Sequence, residues 1–237
     1  MTQQQETPRR RRLSEDAVET PPAAWPERGD ILGRRTRLTP VMAGHAEALF
    51  ELSHGDETKR RLWAYLPYGP FADAEAFTAW VELRAASEDP LFYAVLDKDS
   101  GRPEGMTSYL NIVPGNASIE IGHIWFVPEI QRSPKTTDAL YAMLRHAFDD
   151  LGYRRLEWKC NAANAKSRSA ARRLGFGYEG VFFRHMIVKG RNRDTAWYSL
   201  LAEEWPRVRD NFEAWLAPEN FDSEGRQKRS LTELNRF

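Results

Sequence analysis

The sequence has one cysteine, no excess charge of either sign and no histidine cluster. Cys160 is the only cysteine among 237 residues, which excludes an intrachain disulfide and a cysteine-rich zinc site. Basic and acidic residues both number 34, so nothing in the charge favours a nucleic-acid or anionic-membrane partner. The five histidines are scattered and predict no metal site.

Long apolar runs are missing as well. No run approaches the roughly 20 residues that a membrane-spanning helix needs, and the first 20 residues contain no apolar segment typical of a secretory signal. We therefore expect a cytoplasmic protein without membrane contact. The 41% hydrophobic and 12% aromatic content is enough for one well-filled core. The oligomeric state stays open, a homodimer included.

The chain divides into three parts by composition. Residues 1–30 are rich in Gln, Glu, Arg and Pro without any structural period, which predicts a disordered extension. Four consecutive arginines, at positions 9–12, are interpreted as part of this solvated tail and not as a nucleic-acid contact. Residues 31–206 are expected to form the folded domain, and residues 207–237 a C-terminal helix followed by a loose polar tail.

Hydrophobic periodicity and turn residues predict the order of the elements. Helices are predicted at 45–52, 73–86, 136–151, 164–174 and 203–216. Strands are predicted at 35–38, 92–96, 105–113, 118–127, 156–161, 178–188 and 194–201. This order predicts an α+β fold with one mixed, mostly antiparallel central sheet and helices on both faces.

The segment 124–137 runs from a strand through a short loop into the strongest helical pattern of the chain. The first amides of a helix have no internal acceptor and lie at the positive end of its dipole, so they can hold an anion. Ser133 suits the N-cap and Pro134 the first helical position, while Arg132 and Lys135 add positive charge. An ordinary capped helix start is the other interpretation.

A second strand–helix junction lies at residues 161–167. Asn164 stands where the helix begins and Ser167 lies one turn further along. Taken alone, this pattern also fits an N-cap with a structural hydroxyl in the first turn.

Six residues of the two junctions stand in a recognisable order: Pro128, Gln131, Asn164, Ser167, Gly175 and Phe176. With the intervening helix and strand, this order resembles the GNAT acetyltransferase superfamily. The spacing is most similar to the branch of ribosomal-protein N-terminal acetyltransferases. The resemblance covers residues 35–205, and it implies a GNAT-like sheet.

The resemblance also implies a reaction and a cofactor site. An acetyl group would pass from acetyl-CoA to a primary amine of a peptide or protein N-terminus, a lysine or a small molecule. The amine would attack the thioester directly, without a metal, and a strand amide near Phe126 would stabilise the oxyanion. The residues implied in cofactor binding are Ile124, Trp125, Phe126, Gln131, Arg132, Ser133, Lys135, Thr136, Thr137 and Asn164.

The sequence departs from the family pattern at both ends of the expected site. Pro134 and Thr136 replace the two glycines of the family's phosphate loop, and proline has no N–H to donate. We expect Arg132 and Lys135 to compensate through charge-assisted contacts. Ala171 stands where many members have a tyrosine that serves as general acid.

The catalytic candidates follow from what amine acylation requires. Glu120, upstream on the predicted cofactor strand, is the candidate base, and a plain salt bridge is its alternative role. Ser167 is the candidate hydroxyl for the CoA sulfur, as the resemblance implies, or else a structural serine. His123 is expected to be packed or hydrogen-bonded. Glu157 is a weaker candidate base because Lys159 can pair with it.

Two other kinds of protein stay open. One is a CoA-binding sensor or partner module with little catalysis, which the altered loop and the missing tyrosine favour. The other is an interaction protein that docks through its aromatic residues. The aromatic segment 62–71 is interpreted as core packing, with a wall of the acceptor pocket as the alternative.

Overall fold

The computed structural model of the chain describes residues 6–15, 17–18 and 22–236. In that part, the α-helices are α1 Ala46–Ser53, α2 Glu57–Arg60, α3 Ala74–Ala85, α4 Pro134–Arg145, α5 Ala165–Arg173, α6 Trp205–Leu216 and α7 Leu231–Leu234. The strands are β1 Ile31–Leu32, β2 Thr36–Pro40, β3 Leu91–Asp97, β4 Pro103–Val113, β5 Ser118–Phe126, β6 Arg155–Asn161, β7 Gly177–Val188 and β8 Arg191–Leu201.

All eight strands form one sheet in the order β1-β2-β3-β4-β5-β6-β8-β7. Every neighbouring pair is antiparallel except β5 and β6, which run parallel. Helix α4 packs on one face, where the Tyr109 hydroxyl donates to the Met143 carbonyl at 2.6 Å. Helix α3 covers the other face, where Trp80 lies edge-on to Phe92. The predicted α+β fold with helices on both faces is confirmed.

The parallel strands β5 and β6 separate soon after they begin. Their pairing covers three positions and ends where Glu120 stands opposite Glu157. Beyond that point β5 continues alongside β4, and β6 continues alongside β8. The two strands therefore enclose a wedge-shaped opening, which we call the β5–β6 cleft, between residues 121–126 and 158–161.

A β-bulge in β5 changes which side chains share a face. Gly122 pairs with Ser108 and Trp125 with Met106, so three steps on β5 match two on β4. The extra residue is His123, whose φ is 53°. Sequence alternation predicts that Glu120, Gly122 and Ile124 share a face, and this is wrong beyond Gly122. After the bulge, Trp125 is the residue on the Glu120 face.

The aromatic segment 62–71 packs into the core between α1, α3 and the sheet. Trp63 is fully buried, and its indole N–H donates to the Ser53 carbonyl at 2.9 Å. Its ring meets Phe71 and Phe77 edge-on, at centroid distances of 5.6 and 6.1 Å. The interpretation of this segment as core packing is confirmed for its tryptophan, Trp63.

The N-terminal segment differs from the predicted solvated tail. The Arg9 amide donates to the Tyr178 carbonyl at 2.9 Å. Arg11 forms ion pairs with Glu204 at 2.7 Å and with Glu179 at 2.9 Å. These two arginines therefore pack against the edge of the sheet, because carboxylates from β7 and from the turn before α6 meet them there. Residues 1–5, 16 and 19–21 of the predicted extension lie outside the described residues.

The C-terminal segment is also packed, so the predicted loose tail is wrong. Leu231 is fully buried. The Trp215 indole donates to Gln227 Oε1 at 2.8 Å, and the side-chain amide of Asn235 donates to the Arg173 carbonyl at 3.0 Å. Isolated anchors such as these carry no period, so the sequence pattern does not reveal them.

Asp138 joins α4 to the turn before β2, and its loss should destabilise the protein. Its carboxylate is fully buried and accepts hydrogen bonds from the amides of Arg34, Arg35 and Thr36, all at 2.9–3.0 Å. In Asp138→Ala these amides lose their acceptor, and we expect the free energy of unfolding to fall by about 3 kcal/mol. Urea denaturation measures this. Asp210→Ala, an exposed aspartate on α6, should change it little; equal losses would contradict the assignment.

Candidate active site

The β5–β6 cleft lies between two helix starts. Helix α4 begins eight residues after β5 ends, and α5 begins four residues after β6 ends. Along the cleft one backbone edge of β5 has no strand partner, because β6 has separated from it. The Val127 amide donates to the Glu104 carbonyl of β4 at 2.9 Å. Since successive amides point to opposite edges, the Phe126 amide faces the cleft.

The start of α4 presents polar groups that lack partners. Ser133 is the N-cap and Pro134 the first helical residue, as predicted, but the Ser133 side chain does not cap the helix. Its hydroxyl is buried and has no hydrogen-bond partner among the described residues. The amides of Lys135 and Thr136 have no intrahelical acceptor at this position. A buried hydroxyl without a partner beside free helix amides fits a phosphate oxygen of CoA.

The charges around this helix start differ from the expected compensation. Lys135 Nζ lies 2.5 Å from Asp97 and 2.8 Å from Glu104, so two carboxylates already neutralise it. Its hydrogen bonds to Asp97 and Glu104 raise the pKa of Lys135, and the same contact lowers the pKa of Asp97. Arg132, by contrast, is exposed and adopts a φ of 62°, a conformation that favours glycine. Of the two predicted cations, Arg132 alone remains available to a phosphate.

Arg173 is a further cation at this site that sequence reasoning missed. Its guanidinium donates to Thr137 Oγ1 in the first turns of α4 at 3.0 Å and lies over the Trp215 ring at 4.8 Å. Burial lowers the pKa of Arg173. The structure gives it no carboxylate partner in the part of the chain that it describes. No sequence signal marks it, because a basic residue in a last helical turn is ordinary.

The remaining predicted cofactor residues line the cleft or close its end. The Gln131 side chain donates to the Phe126 carbonyl at 2.9 Å and so covers the end of β5. Ile124 is half-buried, whereas Trp125 and Phe126 are buried. Trp125 Nε1 is buried without a hydrogen-bond partner among the described residues. Their roles toward the cofactor stay predictions.

At the second helix start, Asn164 and Ser167 contact each other. Asn164 Oδ1 accepts a hydrogen bond from the Ser167 amide at 3.1 Å and so caps α5. Ser167 Oγ accepts a hydrogen bond from the Trp158 indole at 3.0 Å. Burial raises the pKa of Cys160, and a hydrogen bond with Ser167 opposes this rise. Ser167 thus lies on the α5 side of the cleft, with its oxygen accepting the Trp158 hydrogen bond.

Glu120 lies on the opposite face of the sheet and is 5% exposed. Its Oε2 accepts hydrogen bonds from Lys159 Nζ at 3.0 Å and from Asn111 Nδ2 at 2.6 Å. Burial raises the pKa of Glu120, although Lys159 and Asn111 oppose the rise. Lys159 also pairs with Glu157 at 2.7 Å, as predicted. The salt bridge and the raised pKa of a base therefore coexist at Glu120.

His123 is packed and hydrogen-bonded. Its Nδ1 lies 3.0 Å from the Tyr68 hydroxyl, and its ring stacks on Tyr68 at 5.4 Å. Phe92 approaches the same ring at 5.0 Å. Burial is the main cause that lowers the pKa of His123 to about 4. The imidazole is therefore neutral at neutral pH.

The splayed strand pair and the two helix starts are those of an acetyltransferase of the GNAT class. The acetyltransferase (GNAT) domain pattern matches residues 35–177. The chain therefore belongs to the GNAT acetyltransferase family, whose members use acetyl-CoA. This confirms the family, the class of enzyme and the cofactor type that the sequence predicts.

Individual relatives agree with this assignment. A GCN5-related N-acetyltransferase from Brucella melitensis superimposes with a TM-score of 0.88 and 45% identity, over 92% of this chain and 98% of that one. A GNAT-family structure from Chromobacterium violaceum superimposes with a TM-score of 0.76 and 40% identity, over 84% of this chain and 100% of that one. The ribosomal N-acetyltransferase-like protein YdaF of Bacillus subtilis is 34% identical over 101 aligned residues. These residues make up 43% of this chain and 55% of YdaF. The predicted nearness to the ribosomal-protein branch is thereby supported.

The described residues contain neither a membrane-spanning helix nor a cluster of metal ligands. No helix there is long and apolar enough to cross a membrane. Within the same ranges, no group of three or more His, Cys, Asp or Glu side chains could hold a metal ion.

Proposed function

We propose that the protein transfers the acetyl group of acetyl-CoA to a primary amine by direct attack on the thioester. The acceptor class includes peptide or protein N-termini, lysines and small amines. The observation that carries this proposal is the β5–β6 cleft itself. Groups suited to CoA lie on its α4 and α5 side, and the buried carboxylate of Glu120 lies on its other side.

Acetyl-CoA is held, on this proposal, by three sets of groups. The pyrophosphate meets Ser133 Oγ, the amides of Lys135 and Thr136, and the side chain of Arg132, with Arg173 nearby. The pantetheine arm runs along the free edge of β5, at Ile124, Trp125 and Phe126. The Asn164 side chain lies where the arm ends.

The chain's own residues then carry the proton transfers. Glu120 accepts a proton from the attacking amine, because its Oε1 makes no hydrogen bond among the described residues. The Phe126 amide faces the thioester oxygen as the new carbon–nitrogen bond forms. Ser167 gives its proton to the sulfur as the carbon–sulfur bond breaks and takes one up from solvent, so the thiol leaves neutral and the serine is restored. Acetyl-CoA supplies the acetyl group as an activated thioester.

The decisive test combines turnover with protection from unfolding. Thiol release from acetyl-CoA is followed with a panel of primary amines, and mass spectrometry checks that the acceptor gains an acetyl group. Acetyl-CoA at a hundredfold excess over its dissociation constant should stabilise the fold by about 2.7 kcal/mol. Protection without turnover would favour the sensor alternative, which the buried Ala171 supports. The absence of both protection and turnover would favour the interaction protein.

Substitution of the cations at the α4 start should show which of them contribute to CoA binding. We expect Arg132→Ala and Arg173→Gln each to weaken CoA binding about tenfold, because each removes a charge-assisted contact. Lys135→Ala should weaken it much less, since Asp97 and Glu104 already hold that charge. Calorimetric titration of CoA measures all three. A loss for Lys135→Ala as large as for Arg132→Ala would contradict this division of roles.

A further inference from the structure

Two arginines on the Glu120 side of the sheet have no counterion among the residues that the structure describes. Arg84 lies on α3 and Arg193 on β8, and both are half-buried. The Nε atom of each is buried without a hydrogen-bond partner, and neither guanidinium forms an ion pair with any residue that the structure describes. A partly buried charge without a partner costs free energy, so two of them together call for an explanation.

Arg84 lies at an aromatic wall formed by Trp80, Tyr68 and His123. The Arg84 guanidinium lies 5.8 Å from the Trp80 ring, and Trp80 packs on Tyr68 at 4.5 Å. Tyr68 in turn lies 3.0 Å from His123 Nδ1. Burial is the main cause that lowers the pKa of His123, and the charges of Arg84 and Arg193 both add to this shift.

Arg193 also lies on the face of β8 that leads to Glu120. Alternation along the strand puts Arg193 and Trp197 on one face. Lys159 Nζ lies 4.1 Å from the centre of the Trp197 ring and pairs with Glu120. The two arginines and the proposed base therefore open on the same side of the β5–β6 cleft, which is the side away from α4 and α5.

The two carboxylates at the base of the cleft, Glu120 and Glu157, are held by groups other than these arginines. Lys159 and Asn111 hold Glu120, while Lys159 and Arg155 hold Glu157. The pKa of the His123 imidazole is lowered to about 4, so this side chain is neutral and is not a counterion for either arginine. The face thus combines a satisfied carboxylate network with two unpaired guanidinium groups.

We infer that the acceptor amine carries an anionic group, a carboxylate or a phosphate, which Arg84 and Arg193 bind while the amine meets Glu120. Guanidinium groups pair with both anions through two parallel hydrogen bonds, which fixes orientation as well as affinity. The aromatic wall excludes water and strengthens the contact. This inference rests on the proposed function and narrows its acceptor class.

The test compares amines that differ in one charge. Thiol release is measured for β-alanine against β-alaninamide and for phosphoethanolamine against ethanolamine, so the two pairs separate carboxylate from phosphate recognition. We expect the anionic member of at least one pair to have a kcat/KM about 10- to 100-fold higher. Arg84→Gln and Arg193→Gln should remove this preference, and Arg193→Lys should restore part of it. Arg191→Gln, the exposed control on the same strand, should keep it.

A binding measurement keeps this inference separate from the reaction. Thermal unfolding of the CoA-saturated protein is followed with inorganic phosphate and with succinate at constant ionic strength. Stabilisation that Arg193→Gln loses and Arg191→Gln keeps supports the anion site, even if no amine is acetylated. The inference is overturned if wild type and Arg193→Gln respond alike, or if acetylated amines show no preference for the anionic member.

Discussion

Glu120→Gln is expected to lower kcat for acetyl transfer about 100- to 10,000-fold, the range typical of a lost general base. Glutamine keeps the shape and can still contact Lys159 and Asn111, which hold Oε2 at 3.0 and 2.6 Å. It cannot accept a proton from the amine. The KM for acetyl-CoA should change little, because the CoA groups lie on the other side of the β5–β6 cleft.

Glu157→Gln is the matched control for this substitution. Glu157 pairs with the same Lys159, at 2.7 Å, but it also pairs with Arg155 at 2.7 Å. If the ion-pair network alone mattered, the two glutamine variants would lose similar activity. We expect Glu157→Gln to retain most of its kcat. A similar loss in both would remove Glu120 from the role of base.

The pH dependence gives an independent measure of Glu120. Burial raises its pKa, so the proposed base is protonated, and activity lost, as pH falls through that raised value. The same shift predicts the sign for stability: because the unfolded chain releases this proton first, the free energy of unfolding falls as pH rises from about 4.3, the ordinary glutamate value, through the raised pKa. Both effects should be absent from Glu120→Gln. If the difference in the free energy of unfolding between wild type and Glu120→Gln does not vary with pH, the raised pKa of Glu120 is contradicted.

Much of the fold could be predicted because local patterns decide it. The start of α4 follows from a serine before a proline, and its buried face follows from apolar residues at helical spacing. The cap at Asn164 likewise follows from a residue type whose short side chain reaches the helix amides. Each of these features depends on a few neighbouring residues, which a single sequence contains in full.

Other features depend on the tertiary fold and leave no local signal. The bulge at His123 breaks the two-residue alternation on which the prediction for β5 rests, and it decides which β5 side chains lie on the face of Glu120. The charge of Lys135 is neutralised by residues of β3 and β4 that only the sheet brings near. Arg193 is informative because it lacks a partner, and the lack of a partner can be read only from a folded structure. The helix starts could thus be predicted from the sequence, whereas the charges and directions of the side chains around them depend on the fold.

Ser167→Ala is the second substitution with a large expected effect, about a 100-fold lower kcat. The Trp158 indole donates to Ser167 Oγ at 3.0 Å, which occupies a lone pair and leaves the serine proton to donate elsewhere. Since Ala171 stands at the position of the family's tyrosine, Ser167 is the hydroxyl that we propose as proton donor to the leaving thiolate.

A purely structural serine predicts a different set of results, which matched variants distinguish. Ser167→Thr keeps the hydroxyl and should recover most of the kcat that Ser167→Ala loses. Ser169→Ala, an exposed serine on the same helix, should leave kcat and stability unchanged. Because Ser167→Ala deprives the Trp158 indole of its acceptor, unfolding should become easier by about 1–2 kcal/mol, so kcat is measured well below the melting temperature. If kcat is then normal and stability alone falls, Ser167 only supports Trp158, and the thiolate must obtain its proton from solvent.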